Sequence, residues 1–259
     1  MKTTTSILKL TAAAAMLASS ALAQADVLNF ETVDEDGPAP FFYQVDTSSQ
    51  QAYKPYNFGS FWLASYAIGA VAGDRSGVLV DGANAADICS SGVTCPTGNS
   101  SAYYGGINDG YIAFGLQSGA AFRLTSFDAS VFKIDGQVYP ASPNPSSILI
   151  LRGWRADNTF LDSAQIAIGG PVDGSFAFKT YDLKTLSATF ANTEFVTARV
   201  ISYSWNGTTY TNGSNLNNIA LDNLTVSAVP EPGSWALMGL GLLGVAAYSR
   251  RRRAAAHTA

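Results

Sequence analysis

Short runs in which apolar and polar residues alternate fill the chain between residues 26 and 228. The runs are rich in Val, Ile, Phe, Tyr and Thr, and Gly, Asn, Asp and Ser separate them, which is typical of β-strands joined by turns. No segment in this range keeps the helical spacing of apolar residues at i, i+3, i+4 and i+7. The pattern predicts strands over residues 27–33, 41–45, 59–64, 77–80, 111–116, 121–127, 130–134, 147–154, 159–168, 175–183, 195–204 and 219–226.

Turn signals between these runs fix the expected fold class. Asp135-Gly136 and Asn206-Gly207 predict hairpin turns, and Asp173-Gly174 predicts the start of a further turn. The polar segment 81–109 is long, and we expect it to form a surface loop. Many short strands at this spacing predict an all-β domain, a β-sandwich or jelly roll over residues 26–228.

The two ends of the chain do not share this pattern. Residues 1–25 have the features of a secretory signal peptide: Lys2 and Lys9 supply positive charge, residues 10–22 are apolar, and small residues allow cleavage after Ala25. Such a peptide implies passage through the Sec translocon and cleavage by signal peptidase.

Residues 229–253 have three parts in fixed order. Two prolines around one residue make the first part extended. The uncharged second part, residues 234–249, would span roughly 24 Å as a transmembrane helix. An arginine cluster then holds its end in the cytoplasm, together with residues 254–259. The first part is Val229, Pro230, Glu231 and Pro232, and the cluster is Arg250, Arg251, Arg252 and Arg253.

This arrangement resembles the PEP-CTERM sorting signal of Gram-negative bacteria. The resemblance implies processing by an exosortase, a membrane-embedded cysteine protease or transpeptidase that releases the ectodomain or transfers it to the cell surface. The expected route is export through the inner membrane, transient anchoring by the C-terminal helix, and delivery to the surface or extracellular matrix. Exosortase systems generally accompany exopolysaccharide production, so an exopolysaccharide partner is also implied.

Charge and histidine content exclude several functions. Residues 26–228 contain 18 Asp and Glu against nine Lys and Arg, a net charge of −9, whereas the whole chain carries −4. An acidic domain of this kind does not favour nucleic acid. The single histidine is His257, so the ectodomain contains no Ser-His-Asp or Cys-His arrangement and no histidine-rich zinc site.

Two inferences concern cysteines and aromatic residues. Cys89 and Cys95 are the only cysteines, and an even number in an exported chain predicts a disulfide. Exposed tyrosines can stack on sugar rings, and Tyr103-Tyr104 lies beside glycines in the predicted loop, so we expect a ligand platform there. Three tryptophans are expected to be core or half-buried: Trp62, Trp154 and Trp205.

Acidic residues occur in the first and last predicted strands. The strand period of two places Asp222 on the face that carries Leu224 and Val226, and an inward carboxylate must be paired, hydrogen-bonded or bound to metal. An early Phe-Glu, containing Glu31, and the late Leu-Asp-Asn-Leu resemble jelly-roll carbohydrate-binding modules. That resemblance implies a structural calcium at Glu31 and Asp222. The alternative is that Asp222 caps backbone amides in a β-bulge.

These observations favour a non-enzymatic exported protein that is structural or associated with exopolysaccharide. The alternative is a calcium-dependent carbohydrate-binding module. A third hypothesis, a glycoside hydrolase with paired carboxylates, requires two acids about 5 to 10 Å apart across a cleft. No acid pair stands out by motif, so the sequence gives this hypothesis less support.

Overall fold

The computed structural model describes residues 25–31, 41–44, 55–67, 69, 71–89, 92–141, 144–213 and 217–229, together with Gly239, Gly241 and Gly244. Contacts divide the chain into two units, one formed by residues 25–227 and the other by residues 1–24 with 228–259. In the second unit the three glycines have helical backbone. No helix within the described ranges is both long and apolar enough to cross a membrane.

Several predictions concern residues outside the described ranges. They are the signal peptide up to residue 24, the Pro-Glu-Pro residues, the arginine cluster, and the transmembrane segment apart from its three glycines.

Strands dominate the first unit. They are β1 (Ala25–Leu28), β2 (Phe41–Gln44), β3 (Tyr56–Phe58), β4 (Phe61–Tyr66), β5 (Arg75–Asp81), β6 (Val93–Thr94), β7 (Ala102–Gly106), β8 (Tyr111–Leu116), β9 (Phe122–Val131), β10 (Lys133–Ile134), β11 (Ser147–Trp154), β12 (Phe160–Ile168), β13 (Lys179–Asp182), β14 (Thr197–Trp205), β15 (Tyr210–Thr211) and β16 (Ile219–Ala228). A 3₁₀ helix covers Gly82–Asp87, and two short helices are α1 (Leu183–Leu186) and α2 (Ala188–Asn192).

The strands form two large antiparallel sheets. In the first sheet the order is β13-β9-β16-β7-β5-β2, and β1 also pairs with β16. In the second sheet the order is β12-β11-β14-β8-β4-β3, and β15 also pairs with β14. A small sheet contains β6 and β10. The prediction of an all-β sandwich-like domain is therefore confirmed.

Aromatic rings fill the space between the two large sheets. The ring centroids of Phe30, which follows β1, and Phe58 of β3 are 5.1 Å apart in an edge-to-face arrangement. Phe114 of β8 and Phe122 of β9 have centroids 6.0 Å apart. The second pair links residues of opposite sheets, the first joins the segment after β1 to the second sheet, and all four rings are buried. Buried hydrophobic residues run from Leu28 to Val226, so the ectodomain contains its own core.

Most predicted strands are present. Residues 111–116 and 147–154 form strands with the predicted bounds, and five other predicted strands, starting at residues 41, 77, 159, 195 and 219, differ at their ends by up to two residues. The predicted strands 121–127 and 130–134 are mainly one strand, β9.

Three other strand predictions need correction. The first strand ends at Leu28 instead of residue 33. In the segment predicted as 59–64, residues 59 and 60 form the turn between β3 and β4, and residues 61–64 belong to β4. Within 175–183 only Lys179–Asp182 is a strand. The strand ends at Asp182 because the side chain of this residue caps the following helix α1. An N-cap residue of this kind ends the extended segment and begins the helix.

The prediction of a surface loop over residues 81–109 is wrong. This segment contains the 3₁₀ helix, β6 and β7, and β7 lies inside the first sheet between β16 and β5. Glycines in β7 obscure the alternating pattern of a strand, but glycine is needed there and in the neighbouring β5 because larger residues would overlap aromatic side chains. A Cβ on Gly105 would lie 2.7 Å from the Phe132 ring, and one on Gly77 would lie 2.0 Å from the Tyr104 hydroxyl.

The predicted turns have different outcomes. Asn206-Gly207 forms the β14–β15 hairpin turn, closed by a hydrogen bond from the Asn206 amide to the Thr209 carbonyl. Asp173-Gly174 forms a turn in which both residues have positive φ. Asp135-Gly136 is also a turn, but it does not make the predicted hairpin, because β10 pairs with the earlier strand β6.

Candidate functional site

The predicted tyrosine platform is not at the surface. Tyr103 and Tyr104 are 0 % exposed on β7. Tyr103 packs edge-to-face on Phe178 with centroids 5.0 Å apart, and Tyr104 lies 5.8 Å from Phe30. The prediction of a ligand platform is therefore wrong, because the tyrosines belong to a central strand and contribute to the core. Burial also raises the pKa of the Tyr103 hydroxyl far above its ordinary value.

The two predicted calcium ligands, Glu31 and Asp222, both contact the segment at residues 101–102. The first and last strands pair, and Leu28 lies opposite Leu224. Glu31 Oε1 accepts a hydrogen bond from the Ala102 amide at 3.0 Å. Asp222 Oδ2 accepts one from the Ser101 hydroxyl at 2.8 Å. The two carboxylates therefore contact adjacent residues at the start of β7.

Asp222 is 0 % exposed and its carboxylate is fully hydrogen-bonded. Besides Ser101, the donors are the Asn99 side-chain amide at 2.8 Å, and the Asn223 backbone amide at 2.8 Å and side-chain amide at 3.3 Å. Asn223 has a φ of 49°, a left-handed conformation within β16. These contacts match the predicted alternative in which Asp222 caps an amide at an irregular strand position. Burial raises the pKa of Asp222, against the lowering effect of its hydrogen bonds.

A calcium ion would need oxygen ligands beyond those that the two carboxylates provide. Among the described residues no group of three or more His, Cys, Asp or Glu side chains could hold a metal ion. Additional ligands would be carbonyl oxygens, amide oxygens or water. The side-chain oxygen of Asn99 already accepts a hydrogen bond from the Ser101 amide at 2.8 Å. Calcium binding at Glu31 and Asp222 stays a prediction.

The predicted disulfide is present. Cys89 and Cys95 are bonded, with Cα atoms 5.4 Å apart. Cys95 is buried with Val78, Tyr103 and Phe132 in a hydrophobic cluster. The bond thus fixes the end of the 3₁₀ segment against the core, and it is not part of an exposed site.

The outer face of the second sheet carries a cleft that the sequence analysis missed. Along β11 and β14, buried and less buried residues alternate, so Leu151 and Val200 face the core while Arg152 and Arg199 face outward. The open cleft between them has a volume of about 320 Å³. We call it the aromatic–arginine cleft, and its lining is Tyr111, Arg152, Trp154, Arg199, Ile201, Tyr203 and Asn212.

Side chains of five neighbouring strands form a ladder across this face. Tyr66 of β4 stacks on Tyr111 of β8, with centroids 4.4 Å apart and planes at 6°. The Arg199 guanidinium of β14 lies 5.7 Å from the Tyr111 centroid and 4.3 Å from that of Trp154 on β11. Trp154 in turn packs edge-to-face on Phe160 of β12 at 6.0 Å. Arginine over an aromatic face is an attractive geometry, so these contacts stabilise the ladder.

Burial raises the pKa of the Tyr66 and Tyr111 hydroxyls, and the positive charge of Arg199 opposes that effect. Both phenols are therefore neutral near pH 7. The ring faces of Tyr111 are in contact with Tyr66 and Arg199, so its hydroxyl is its uncharged polar contact. Among the described lining residues the two arginines are the charged groups.

One local signal could have revealed this cleft. Large side chains occur at alternate positions of two strands, opposite to the small and aliphatic residues that fill the core. They are Arg152 and Trp154 in one strand, and Arg199, Ile201 and Tyr203 in the other. The tryptophan prediction agrees with this arrangement, since Trp62, Trp154 and Trp205 are all half-buried. No sequence pattern shows that β11, β14 and β8 are neighbours, because their order depends on long-range pairing.

Comparison with solved structures supports the fold. A DUF4465 family protein from Bacteroides caccae is 14% identical with a TM-score of 0.50, covering 79% of this chain and 99% of that chain. A second DUF4465 family protein, from Bacteroides ovatus, is 14% identical with a TM-score of 0.45 and the same coverage. At such identity the first likeness shows a shared sandwich-like fold and nothing about activity. No curated protein matches the chain.

Comparison with family models concerns the C-terminal segment. The model described as the PEP-CTERM protein-sorting motif matches residues 228–253. The matched segment starts at the last residue of β16. This confirms the resemblance found in the sequence and implies export, membrane-anchored sorting in the cell envelope and exosortase-dependent processing. The chain therefore carries a PEP-CTERM sorting motif behind an all-β ectodomain, and it is an exosortase-sorted exported protein.

Proposed function

We propose that the ectodomain is a non-enzymatic glycan-binding domain that attaches to exopolysaccharide at the cell surface or in the extracellular matrix. In this proposal residues 1–25 are removed as a signal peptide, and residues 234–249 anchor the chain until the exosortase acts. The ectodomain then either remains attached to the surface or is released into the matrix. Binding to the polymer would retain it there in both cases.

The aromatic–arginine cleft carries this proposal. Its ladder runs over β4, β8, β14, β11 and β12, which is four strand spacings or about 19 Å. The described lining of the cleft covers β8, β14 and β11, two strand spacings or about 10 Å, which suits a short stretch of a sugar chain. Trp154 and Tyr111 line the cleft beside the guanidinium groups. Aromatic surface with nearby hydrogen-bonding groups suits sugar rings, which have apolar faces and polar edges. Most ligand sites combine such surfaces with a few polar groups.

The chemistry of the lining supports binding over hydrolysis. Glycoside hydrolysis requires an acid and a second carboxylate on either side of the bond. No Asp or Glu is among the lining residues that the structure describes in the aromatic–arginine cleft. Its functional groups are guanidinium groups, phenols, an indole and an amide, which can hold a glycan and orient it.

Calorimetry of residues 26–228 with the exopolysaccharide of the producing strain tests this proposal. We expect saturable binding that Trp154→Ala weakens about fivefold, since one aromatic contact contributes about 1 kcal/mol. Tyr181→Ala is the matched control, because Tyr181 is a half-buried aromatic residue on the other sheet, stacked on Phe127. Absence of binding, or equal weakening by both substitutions, would contradict the proposed site.

A second candidate is a calcium-dependent carbohydrate-binding module. The observation that favours it is the convergence of Glu31 and Asp222 on residues 101 and 102. A bound calcium would supply positive charge between these carboxylates and tie β1 to β16. In this case the glycan would still bind in the aromatic–arginine cleft, and calcium would act by stabilising the sandwich.

Thermal unfolding in calcium and in chelator separates the two candidates. Calcium-dependent binding predicts a higher melting temperature in millimolar calcium, and loss of that increase in Glu31→Gln. Equal melting temperatures in calcium and chelator, with unchanged glycan affinity, would exclude the calcium-dependent module. The proposal for the aromatic–arginine cleft would stand in that case, because none of its lining residues is a proposed calcium ligand.

A further inference from the structure

Two positive charges lie directly opposite each other in the aromatic–arginine cleft. Arg152 of β11 and Arg199 of β14 are register partners, so their side chains leave adjacent strands on the same face. Like charges in such a cross-strand pair destabilise it. The cation–π contacts of Arg199 with Trp154 and Tyr111 offset part of that effect, but they do not neutralise either charge.

Nothing described around the two guanidinium groups supplies a counter-charge. Among the described residues neither arginine forms an ion pair, and the lining contains no carboxylate. The Arg199 Nε atom is buried without a hydrogen-bond partner. The side-chain nitrogen of Asn212, which also lines the cleft, is likewise buried without a partner. Buried donors without acceptors are unfavourable, so these groups have unused capacity to bind acceptor oxygens.

The local charge is opposite to that of the domain. Residues 26–228 carry a net charge of −9, while the cleft presents two positive charges and no negative ones. The net charge of the domain therefore repels polyanions, whereas the two arginines of the cleft attract them. Such an arrangement disfavours non-specific binding and selects a ligand whose negative groups reach the two arginines.

We propose that the aromatic–arginine cleft selects acidic glycans, and that Arg152 and Arg199 together hold the anionic group of a sugar whose ring packs beside Trp154. This inference rests on the proposed glycan-binding function and adds its ligand class. The anionic group is a uronic acid carboxylate or a sulfate ester. Guanidinium groups bind both in a bidentate manner, and Arg199 is already fixed in place between two aromatic rings.

The decisive experiment changes the charge of the polymer and keeps its backbone. Binding of residues 26–228 is measured by calorimetry to the exopolysaccharide of the producing strain, to the same polymer after reduction of its carboxyl groups to alcohols, and to the same polymer after desulfation. We expect one treatment to weaken binding by about tenfold or more. Loss on carboxyl reduction identifies uronic acids, and loss on desulfation identifies sulfate esters.

Variants assign that selectivity to the two arginines. Arg152→Gln and Arg199→Gln are expected to bind the native polymer about tenfold more weakly, and to lose the preference for native over neutralised polymer. Lys179→Gln is the control, because Lys179 is an exposed cation on the other sheet and its removal changes the net charge equally. Melting temperatures of all variants are compared, and Arg199→Lys retains the charge without the planar fork.

The possible outcomes distinguish failure of the acidic-glycan inference from failure of the proposed glycan-binding function. Equal affinity for native and neutralised polymers, with loss of binding in Trp154→Ala, would overturn the acidic-glycan inference and leave glycan binding in place. Equal weakening by Lys179→Gln and by the two arginine variants would also overturn it, because binding would then follow net charge alone. Absence of binding to all three polymers would contradict both.

Discussion

Asp222 shows how one carboxylate can be buried inside a sandwich without a cationic partner. Four donors from Asn99, Ser101 and Asn223 surround its two oxygens. Burial nevertheless raises its pKa, with nearby Asp128 contributing in the same direction. The folded state therefore binds the Asp222 proton more tightly than the unfolded chain does. The resulting gain in the free energy of unfolding is complete below the ordinary pKa of 3.8 and is lost as pH rises through the raised pKa.

Asp222→Asn is expected to remove this pH dependence. As the pH is lowered from 7 toward 3, the free energy of unfolding of the wild type should increase relative to that of the variant, because only the wild type takes up the extra proton on folding. Urea unfolding at several pH values measures the difference.

Asp157→Asn provides a control of opposite sign. Asp157 is exposed at a turn, and hydrogen bonds from Thr159 lower its pKa. Its favourable contribution is present above the ordinary pKa and is lost as pH falls through the lowered pKa. A constant difference between wild type and Asp222→Asn across the pH range would show that the folded pKa of Asp222 is not raised.

For single residues, the sequence predicted the burial of some side chains correctly and that of others wrongly, and each outcome has a physical reason. The two-residue period identified Asp222 as inward-facing, because Leu224 and Val226 share its face. The same period did not identify Tyr103 and Tyr104, because adjacent glycines hid their strand. Arg152 and Arg199 are partners only through the pairing of β11 with β14, and no local pattern reports a contact between residues so distant in sequence.

Among the elements, β7 is a central strand that the sequence analysis did not predict. Its glycines lie where aromatic side chains need space, as the Phe132 ring beside Gly105 shows. Predictions from composition treat such glycines as loop residues, whereas the packed sheet uses them to admit larger neighbours. β8 and β11 also contain a glycine that approaches an aromatic side chain, Gly115 beside Trp62 and Gly153 beside Phe195. Each has only that one glycine among apolar residues, so both strands were predicted with their observed bounds.

Gly105→Ala should destabilise the domain by about 1–3 kcal/mol, because the new methyl group would overlap the Phe132 ring in a filled core. Gly169→Ala is the matched control, since nothing lies within 4 Å of the position its Cβ would take. Denaturant unfolding of both variants measures the effect. Equal stability of the two variants would mean that the core adapts to the added methyl group at position 105.

The disulfide belongs to the same part of the sheet, since Cys95 packs with β5 and β7 residues. Replacing both cysteines by serine should lower the free energy of unfolding by about 2 kcal/mol, the value expected for closure of so short a loop. The wild-type protein unfolded with and without reductant gives an independent measurement of the same quantity. If the serine variant loses stability but reduction of the wild type does not, the loss comes from burying serine hydroxyls.

At the scale of the whole molecule, sorting depends on the C-terminal segment, and the proposed glycan binding depends on the sandwich. Replacement of Pro230, Glu231 and Pro232 by alanine should leave the protein uncleaved in the inner membrane, because the extended segment of the matched motif is lost. Immunoblots of membrane and medium fractions measure the change. Substitution of residues 257–259 is the control, since they lie beyond the matched segment. Normal release of the alanine variant would contradict the sorting role of these residues.

The position of β16 has a mechanical consequence. It is the last strand before the sorting motif, and it lies inside the first sheet, with β9 on one side and β7 and β1 on the other. A force applied to the C-terminus would act along this strand. Because its ladder bonds run perpendicular to the strand, they would resist as a group in shear instead of peeling apart one by one. A domain tethered at that end could carry tension between the cell and a bound polymer without unravelling from its point of attachment.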